Sequence, residues 1–416
     1  MRMLKWLYPG MGVKRWIILS TLGIMLVVLG TIDSVNEFKN QSIPVIGILL
    51  VIFGIILIFT GIKRMVKSFV GIFMPVHKEN ELVDLIYKKR QLSRGPKIVV
   101  MGGGTGLSVL LHGLKEYTSN LTAIVTVSDD GGSSGRLRQQ FNILPPGDIR
   151  NCLVALADAE PLMRDLFQFR FQEGTELAGH NFGNLFITVM TQVIGDFDKA
   201  IKESSKVLAI RGQVIPSTLK RIILMAKHVD GTKTYGETKI SKSTSPIKRV
   251  HLMPENCLPT DDALNAIADA EAIILGPGSL YTSVLPNLLV RNIPDAIAAS
   301  SAVKVYICNV MTQSGETDSF TAYDHVKAIQ EHTEKNIIDY CIVNKGVVPN
   351  RFLEKYKREN AVPVKPDIEK IRSAGIKVLA DNVINTEDHV RHDAEKIAKN
   401  IIKLILELKE KGSVFV

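Results

Sequence analysis

The chain has 416 residues, 46% of them hydrophobic and 22% charged, which is enough for one large domain or two ordinary ones with a substantial core. Its formal net charge is +9, of which residues 1–75 supply +6, from eight Lys or Arg against two acids. The remaining residues are therefore almost neutral, and this, with an aromatic content of only 6% in the whole chain, argues against a nucleic-acid-binding protein. The four cysteines are far apart and match neither a metal site nor a redox pair.

Two long apolar runs, Trp16–Ile32 and Ile43–Ile62, contain no charged residue and approach the length needed to cross a membrane. They predict a transmembrane hairpin over residues 1–75, followed by a polar linker over residues 76–96. Lys and Arg flank the outer ends of both runs, which favours a cytoplasmic location for both ends and for the soluble part. A cleaved signal peptide is the alternative for the first run. No small-residue cleavage site follows it, and a second span comes at once.

Beyond the linker, short apolar runs alternate with helical patterns, at 97–101, 121–127, 270–276, 303–310 and 338–344. Such runs predict an α/β fold, a mostly parallel sheet with helices on both faces. A ligand is expected beyond the carboxyl ends of the strands. We expect this domain to cover residues 97–350, with a helical extension over residues 351–416 packing on its core.

The first run ends in GGGTG, which matches neither the dinucleotide fingerprint G-x-G-x-x-G nor the Walker loop. Glycines still let the backbone approach a ligand closely, and amides at a helix N-terminus attract anions. The stretch therefore predicts phosphate binding, although a tight turn alone is the simpler interpretation. The candidate residues are Gly102, Gly103, Gly104, Thr105 and Gly106.

The second run ends in SDDGGSSGRLR, residues 128–138. Asp129 and Asp130 are placed to bind ribose hydroxyls, but two adjacent carboxylates are also suited to bind Mg²⁺ or to act as a base. Ser133 and Ser134 lie in a flexible loop rich in hydrogen-bond donors. A solvated acidic turn is the alternative to all of these roles.

Two further motifs supply polar candidates. In LPPGDIRN, Asp148 is as good a helix cap as a ligand residue, and Arg150 and Asn151 are better site candidates. In GHNFGNL, three polar residues stand at the start of an apolar helix, where they are suited to sugar hydroxyls or phosphate. They are His180, Asn181 and Asn184.

The run at 270–276 opens a second glycine loop, ILGPGSLYTS, which repeats the strand–glycine–helix pattern. It predicts a second phosphate contact at Gly276, Gly278 and Ser279, with Tyr281 close by. The next strand ends in CNVMTQSGETD. We expect its polar residues to face the same crevice, namely Asn309, Thr312 and Asp318.

Together these motifs resemble those of the gluconeogenesis-factor (YvcK-like) proteins, in the superfamily of the 2-phospho-L-lactate transferase. The resemblance runs from about Lys97 to Val348 and implies a Rossmann-like fold. It implies UDP-sugar binding and a role in carbon metabolism, cell-envelope maintenance and cell shape. The transferase branch moves a phospholactyl group from a guanosine diphosphate donor to a deazaflavin with Mg²⁺, so the resemblance implies Mg²⁺ as the possible cofactor. By resemblance the crevice is lined by residues 102–106, 129, 130, 184 and 276–279.

In the C-terminal tail, Tyr356 is placed to stack on a base and Arg391 to pair with phosphate. The leading hypothesis is a membrane-tethered, cytosol-facing regulator that binds a UDP-sugar such as UDP-N-acetylglucosamine. The alternative is a transferase with a nucleotide diphosphate donor, in which Asp129 or Asp130 is catalytic. The broken fingerprint disfavours an NAD-dependent oxidoreductase. Sheets of this kind often pair, so a homodimer is also expected.

Overall fold

The structure is a computed structural model that describes residues 14–39, 43–73, 82–158, 161–174, 176–386 and 390–412. The chain divides into two compact units, Met1–Arg90 and Gln91–Val416. The division falls inside the linker predicted for residues 76–96. We refer to the first unit as the hairpin and to the second as the α/β unit.

The hairpin consists of two antiparallel helices, α1 (Lys14–Lys39) and α2 (Val45–Phe73). Glycines recur every seven residues where the helices meet. A methyl group on Gly23 would lie 2.7 Å from the carbonyl oxygen of Gly54, and one on Gly30 would lie 2.6 Å from that of Gly47. The two backbones are therefore in direct contact along a glycine seam.

Both helices are long and apolar enough to cross a membrane. Only 11% and 17% of the residues in their most apolar windows are buried, whereas the core helix of a soluble protein would be mostly buried. The apolar side chains thus cover the outer surface of the hairpin. A third helix, α3 (Leu82–Ser93), runs across the boundary between the two units.

The described part of the α/β unit contains a seven-stranded parallel sheet, a three-stranded antiparallel sheet and a two-stranded ribbon. In chain order the strands are β1 (Ile98–Gly102), β2 (Leu121–Val125), β3 (Gln213–Pro216), β4 (Ile223–His228), β5 (Lys233–Tyr235), β6 (Ile247–Met253), β7 (Ala272–Leu275), β8 (Val303–Ile307), β9 (Tyr340–Asn344), β10 (Lys377–Asp381), β11 (Ile384–Asn385) and β12 (Arg391–His392).

Helices cover the parallel sheet, and a π-helical turn (Leu280–Val284) follows β7. The helices are α4 (Gly104–Leu114), α5 (Gly132–Phe141), α6 (Gly147–Leu156), α7 (Pro161–Gln168), α8 (Phe182–Ile194), α9 (Phe197–Val207), α10 (Glu237–Ile240), α11 (Asp261–Ala268), α12 (Leu285–Leu288), α13 (Ile293–Ala299), α14 (Ala322–Thr333), α15 (Asn350–Arg358), α16 (Ile368–Ser373) and α17 (Ala394–Gly412).

The parallel sheet has the order β10-β9-β8-β7-β1-β2-β3, which confirms the predicted α/β class. All five apolar runs identified in the sequence form strands of this sheet. Every residue of β1, β2 and β7 is buried, which explains why these strands are continuously apolar rather than alternating. The α4 helix covers them with Leu107, Leu110, Leu111 and Leu114, spaced to share one face.

Two parts of this architecture differ from the sequence analysis. The edge strand β10 comes from residues that were assigned to a helical C-terminal extension, so the sheet continues past residue 350. The antiparallel sheet β5-β4-β6 is an excursion between β3 and β7 that was not predicted. This excursion carries α10 and, with it, Glu237.

Candidate functional site

The site lies where the strand order reverses. The chain runs from β1 outward through β2 to β3 and then returns to β7 on the other side of β1. The loops after β1 and β7 therefore leave adjacent strands in opposite directions and border a crevice. In open parallel sheets ligands bind at this position. Both loops are the glycine-rich segments identified in the sequence.

The two glycine loops pack directly against each other. A methyl group on Gly106 would lie 2.9 Å from the carbonyl oxygen of Pro277, and one on Gly278 would lie 3.3 Å from that of Gly103. A methyl group on Gly103 would also lie 2.6 Å from Oδ2 of Asp148. The approach at Gly106 requires glycine, because a side chain there would force the backbones of the two loops apart. The two backbones thus form one continuous wall.

That wall borders a cavity of about 640 Å³, within the size range of small-molecule sites. The cavity brings together ten of the candidates named from the sequence, from five separate parts of the chain. These are Gly103, Gly104, Thr105, Gly106, Gly278, Ser279, Asn309, Thr312, Tyr356 and Arg391.

Another part of the cavity wall is formed by residues 356 and 390–392. The backbone N–H of Val390 donates to the Tyr356 hydroxyl at 3.2 Å, and Nε2 of His392 donates to the Cys308 carbonyl at 3.1 Å. Burial lowers the pKa of His392 to about 4, so the ring is neutral at physiological pH. A small apolar cluster supports this wall, formed by Val310, Met311, Val348, Phe352, Ile384 and Val390.

Glu316 anchors the second glycine loop and was missed in the sequence. Its carboxylate accepts hydrogen bonds from the hydroxyls of Ser279, of Thr282 at 3.2 Å and of Ser241 at 3.1 Å. Burial raises the pKa of Glu316, and these hydrogen bonds act in the opposite direction. The sequence does place an acidic residue, in QSGET, directly after the end of a strand. The prediction for this segment named Asn309, Thr312 and Asp318 as facing the crevice but not Glu316.

Three more carboxylates lie beside the glycine loops. Burial, followed by the charge of Asp129, raises the pKa of Asp148 to about 6, while Asp148 accepts the backbone N–H of Gly104. Burial, followed by the charges of Asp129 and Asp148, raises the pKa of Glu237 to about 9. Burial also raises the pKa of Asp129. Glu237 therefore retains its proton at neutral pH, which reduces the negative charge facing the cavity.

The adjacent aspartates do not line this cavity. Oδ1 of Asp129 accepts the backbone N–H of Gly131 at 2.9 Å. Oδ1 of Asp130 accepts both the N–H of Thr238, at 2.9 Å, and its hydroxyl, at 2.7 Å. Asp130 therefore ties the loop after β2 to α10. Within the described ranges, no three Asp, Glu, His or Cys side chains are placed to hold a metal ion, so no preformed Mg²⁺ cage exists there.

Four other candidates form a separate polar cluster at the start of α8. Oγ of Ser133 lies 3.2 Å from Nδ1 of His180 and accepts the N–H of Asn181 at 3.3 Å. Oδ1 of Asn181 caps α8 by accepting the N–H of Asn184 at 3.3 Å. Ser134 is buried beside Asp129, to which it donates a hydrogen bond.

The remaining candidates lie outside both groups. Gly102 ends β1, and its carbonyl accepts a hydrogen bond from the Asn287 amide at 2.9 Å. Gly276 directly follows β7 and has a φ of 79°. Asn151 borders a different cavity of about 490 Å³. Tyr281 is buried in the core, with its ring centroid 6.2 Å from that of Phe320 and 5.8 Å from that of His332.

Comparison with known proteins identifies the family. Residues 98–384 match the family model described as 2-phospho-L-lactate transferase CofD. The chain belongs to the CofD family. Within this family it is similar to proteins named as gluconeogenesis factors, which confirms the resemblance seen in the motifs. A putative gluconeogenesis factor of Nostoc sp. is 45% identical over 419 residues, covering 96% of this chain and 92% of that protein.

Other similar proteins cover about three quarters of the chain. The gluconeogenesis factor of Bacillus subtilis is 49% identical and covers 76% of this chain and 100% of its own length. A crystal structure of a UPF0052-family protein from Bacillus halodurans is 50% identical, with a TM-score of 0.72 over 74% of this chain and 99% of that one. The uncovered quarter corresponds in size to the residues before β1. An α/β unit of this kind therefore folds as a complete protein.

Proposed function

We propose that the chain is a membrane-tethered, cytosol-facing regulator that binds a UDP-sugar, such as UDP-N-acetylglucosamine, and acts in carbon metabolism and cell-envelope maintenance. The observation that carries this proposal is the meeting of two glycine loops on one wall of a single cavity at the switch point of the sheet. A diphosphate is the ligand group that such paired loops accommodate best.

The chemistry of the walls agrees with a nucleotide-sugar. The amides in the first turn of α4 carry partial positive charge and lie at the cavity, although the N–H of Gly104 is already used by Asp148. Arg391 supplies a cation for a phosphate, and the ring of Tyr356 supplies a surface for the base. The hydroxyl of Thr105 is exposed towards the cavity and is suited to a sugar.

The hairpin supports the membrane part of the proposal. Five Lys and Arg lie at the end formed by residues 14–16 and 63–67, whereas the opposite end carries Asp33, Glu37 and Lys39. By the positive-inside rule this asymmetry supports a cytoplasmic location for the first end and for the α/β unit that follows it. Association of two copies remains a prediction.

A transferase is the second candidate, favoured by the family model's name and by the carboxylates Asp129, Asp148 and Glu237 beside the loops. Mg²⁺ would have to be held by one or two of these carboxylates together with donor phosphates, as is common for this ion. Of these three carboxylates only Glu237 lines the cavity, and neither Asp129 nor Asp130, the candidate catalytic residues, does so, which favours the regulator over the enzyme.

Isothermal titration of residues 91–416 with UDP-N-acetylglucosamine tests the binding proposal. We expect one site per chain, which Thr105→Glu abolishes by placing an anion in the cavity. Ser108→Glu is the matched control, because it adds the same charge to the same helix but borders the 490 Å³ cavity. No binding of any UDP-sugar would refute the proposal. Product formation from a nucleotide diphosphate donor with Mg²⁺ would establish the transferase instead.

A further inference from the structure

The cationic end of the hairpin combines residues from both helices. Antiparallel packing brings residues 14–16 of α1 beside residues 61–67 of α2, since a methyl group on Gly61 would lie 3.0 Å from the carbonyl oxygen of Trp16. This end contains five Lys and Arg and no Asp or Glu. The two helices thus concentrate positive charge at one level.

One indole ring lies among these cations. Cζ of Arg15 and Cζ of Arg64 each lie 4.9 Å from the ring centroid of Trp16, so each helix contributes one guanidinium to the same ring. Both arginines are exposed, and Trp16 is half-buried. Neither guanidinium forms an ion pair with a carboxylate among the described residues.

This arrangement of cations is suited to bind an anion. Two guanidinium groups beside one ring form a strongly positive site, and each guanidinium can bind a phosphate through bidentate hydrogen bonds. Tryptophan and arginine are also the residues that occupy the headgroup level of a membrane, and the cytoplasmic leaflet is anionic. The available anion at that level is a phosphodiester.

We propose that Arg15, Trp16 and Arg64 form a binding site for the headgroup phosphate of an anionic phospholipid on the cytoplasmic side of the membrane. This inference rests on the membrane location proposed above. Each guanidinium strengthens the preference for an anionic over a zwitterionic lipid by about fivefold. The two arginines then do more than orient the hairpin, because they hold particular lipids beside it.

The sequence provides a direct reporter for this site. The chain has two tryptophans, Trp6 and Trp16, so Trp6→Phe leaves Trp16 as the only one. The full chain with this substitution is reconstituted in phosphatidylcholine vesicles that contain nitroxide-labelled phosphatidylglycerol or equally labelled phosphatidylcholine, with the nitroxide close to the headgroup. We expect half-maximal quenching of Trp16 fluorescence at a concentration of labelled phosphatidylglycerol more than tenfold lower than that of labelled phosphatidylcholine.

Variants separate the site from general surface charge. Arg64→Gln should reduce the preference about fivefold, whereas Lys39→Gln, at the opposite end of α1, should not change it. Arg64→Lys keeps the positive charge but cannot bind a phosphate in a bidentate way, so the preference for phosphatidylglycerol over phosphatidylcholine should fall in this variant too. If Arg64→Lys behaves like the parent and Lys63→Gln lowers the preference as much as Arg64→Gln, only diffuse charge acts and the site is refuted.

Two further controls complete the test. Displacement of labelled phosphatidylglycerol by millimolar inorganic phosphate would assign the site to soluble phosphate and overturn the lipid proposal. Flotation with phosphatidylcholine vesicles reports membrane association independently of lipid preference. A chain that does not float contradicts the membrane location itself. A chain that floats but is quenched equally by both lipids contradicts the lipid site alone.

Discussion

The protonated state of Glu237 leads to a quantitative prediction for stability. Its pKa is raised from 4.5 to about 9, so between these values the folded α/β unit holds a proton that the unfolded chain releases. The free energy of unfolding therefore falls as pH rises through this range, by up to about 1.4 kcal/mol per pH unit. Glutamine mimics the protonated carboxyl, so Glu237→Gln should remove this dependence.

The magnitude follows from the two pKa values. Relative to wild type, Glu237→Gln should gain about 2.5 kcal/mol of stability between about pH 6.5 and about pH 8.5. Urea unfolding of residues 91–416 at both pH values measures this difference. Glu255→Gln, at an exposed glutamate, is the control and should show no such gain. A constant difference between Glu237→Gln and wild type across this range would refute a buried, protonated Glu237.

Three other predictions concern the supports of the site and of the hairpin. Glu316→Ala removes the acceptor of three hydroxyl hydrogen bonds, so it should lower the free energy of unfolding by about 3 kcal/mol. It should also weaken UDP-N-acetylglucosamine binding in titration calorimetry. Glu316→Gln should reduce both stability and binding less than Glu316→Ala. Because the pKa of His392 is lowered from 6.5 to about 4, the free energy of unfolding falls as the pH drops through this range. Between about pH 8 and about pH 5, His392→Gln should remove about 2 kcal/mol of this fall, measured by urea unfolding. Gly30→Leu would force the helices of the seam apart, so the full chain should lose helicity at lower SDS concentration, whereas Leu29→Phe on the exposed surface should not.

The sequence predicted the parts of the site that depend on the backbone. Strand ends and glycine loops can be recognised in the sequence, because the residue types at these positions are restricted. Buried strands need continuous apolar runs, and close backbone approaches and helix starts need particular residues. The five runs became strands, and both glycine loops reached the same cavity. The family could also be named from these motifs, since they are spread over more than two hundred residues.

Side-chain direction was not accessible from the sequence. Tyr281 stands two residues after Ser279, yet the π-helical turn buries it in the core while Ser279 faces the cavity. Asp130 follows a strand end as expected, but its carboxylate is used by Thr238 from the unpredicted excursion. Glu237 was missed for the same reason, because its position depends on long-range packing and not on a local pattern.

The order of the cavity residues along the chain has a consequence for how the protein is made. Tyr356, Arg391 and His392 follow both glycine loops in the sequence, so the pocket does not exist until a ribosome has passed residue 392. Ligand cannot assist the earlier folding of the nascent sheet. It can only select molecules that already contain residue 392, and a chain truncated before Tyr356 would lack these three contacts.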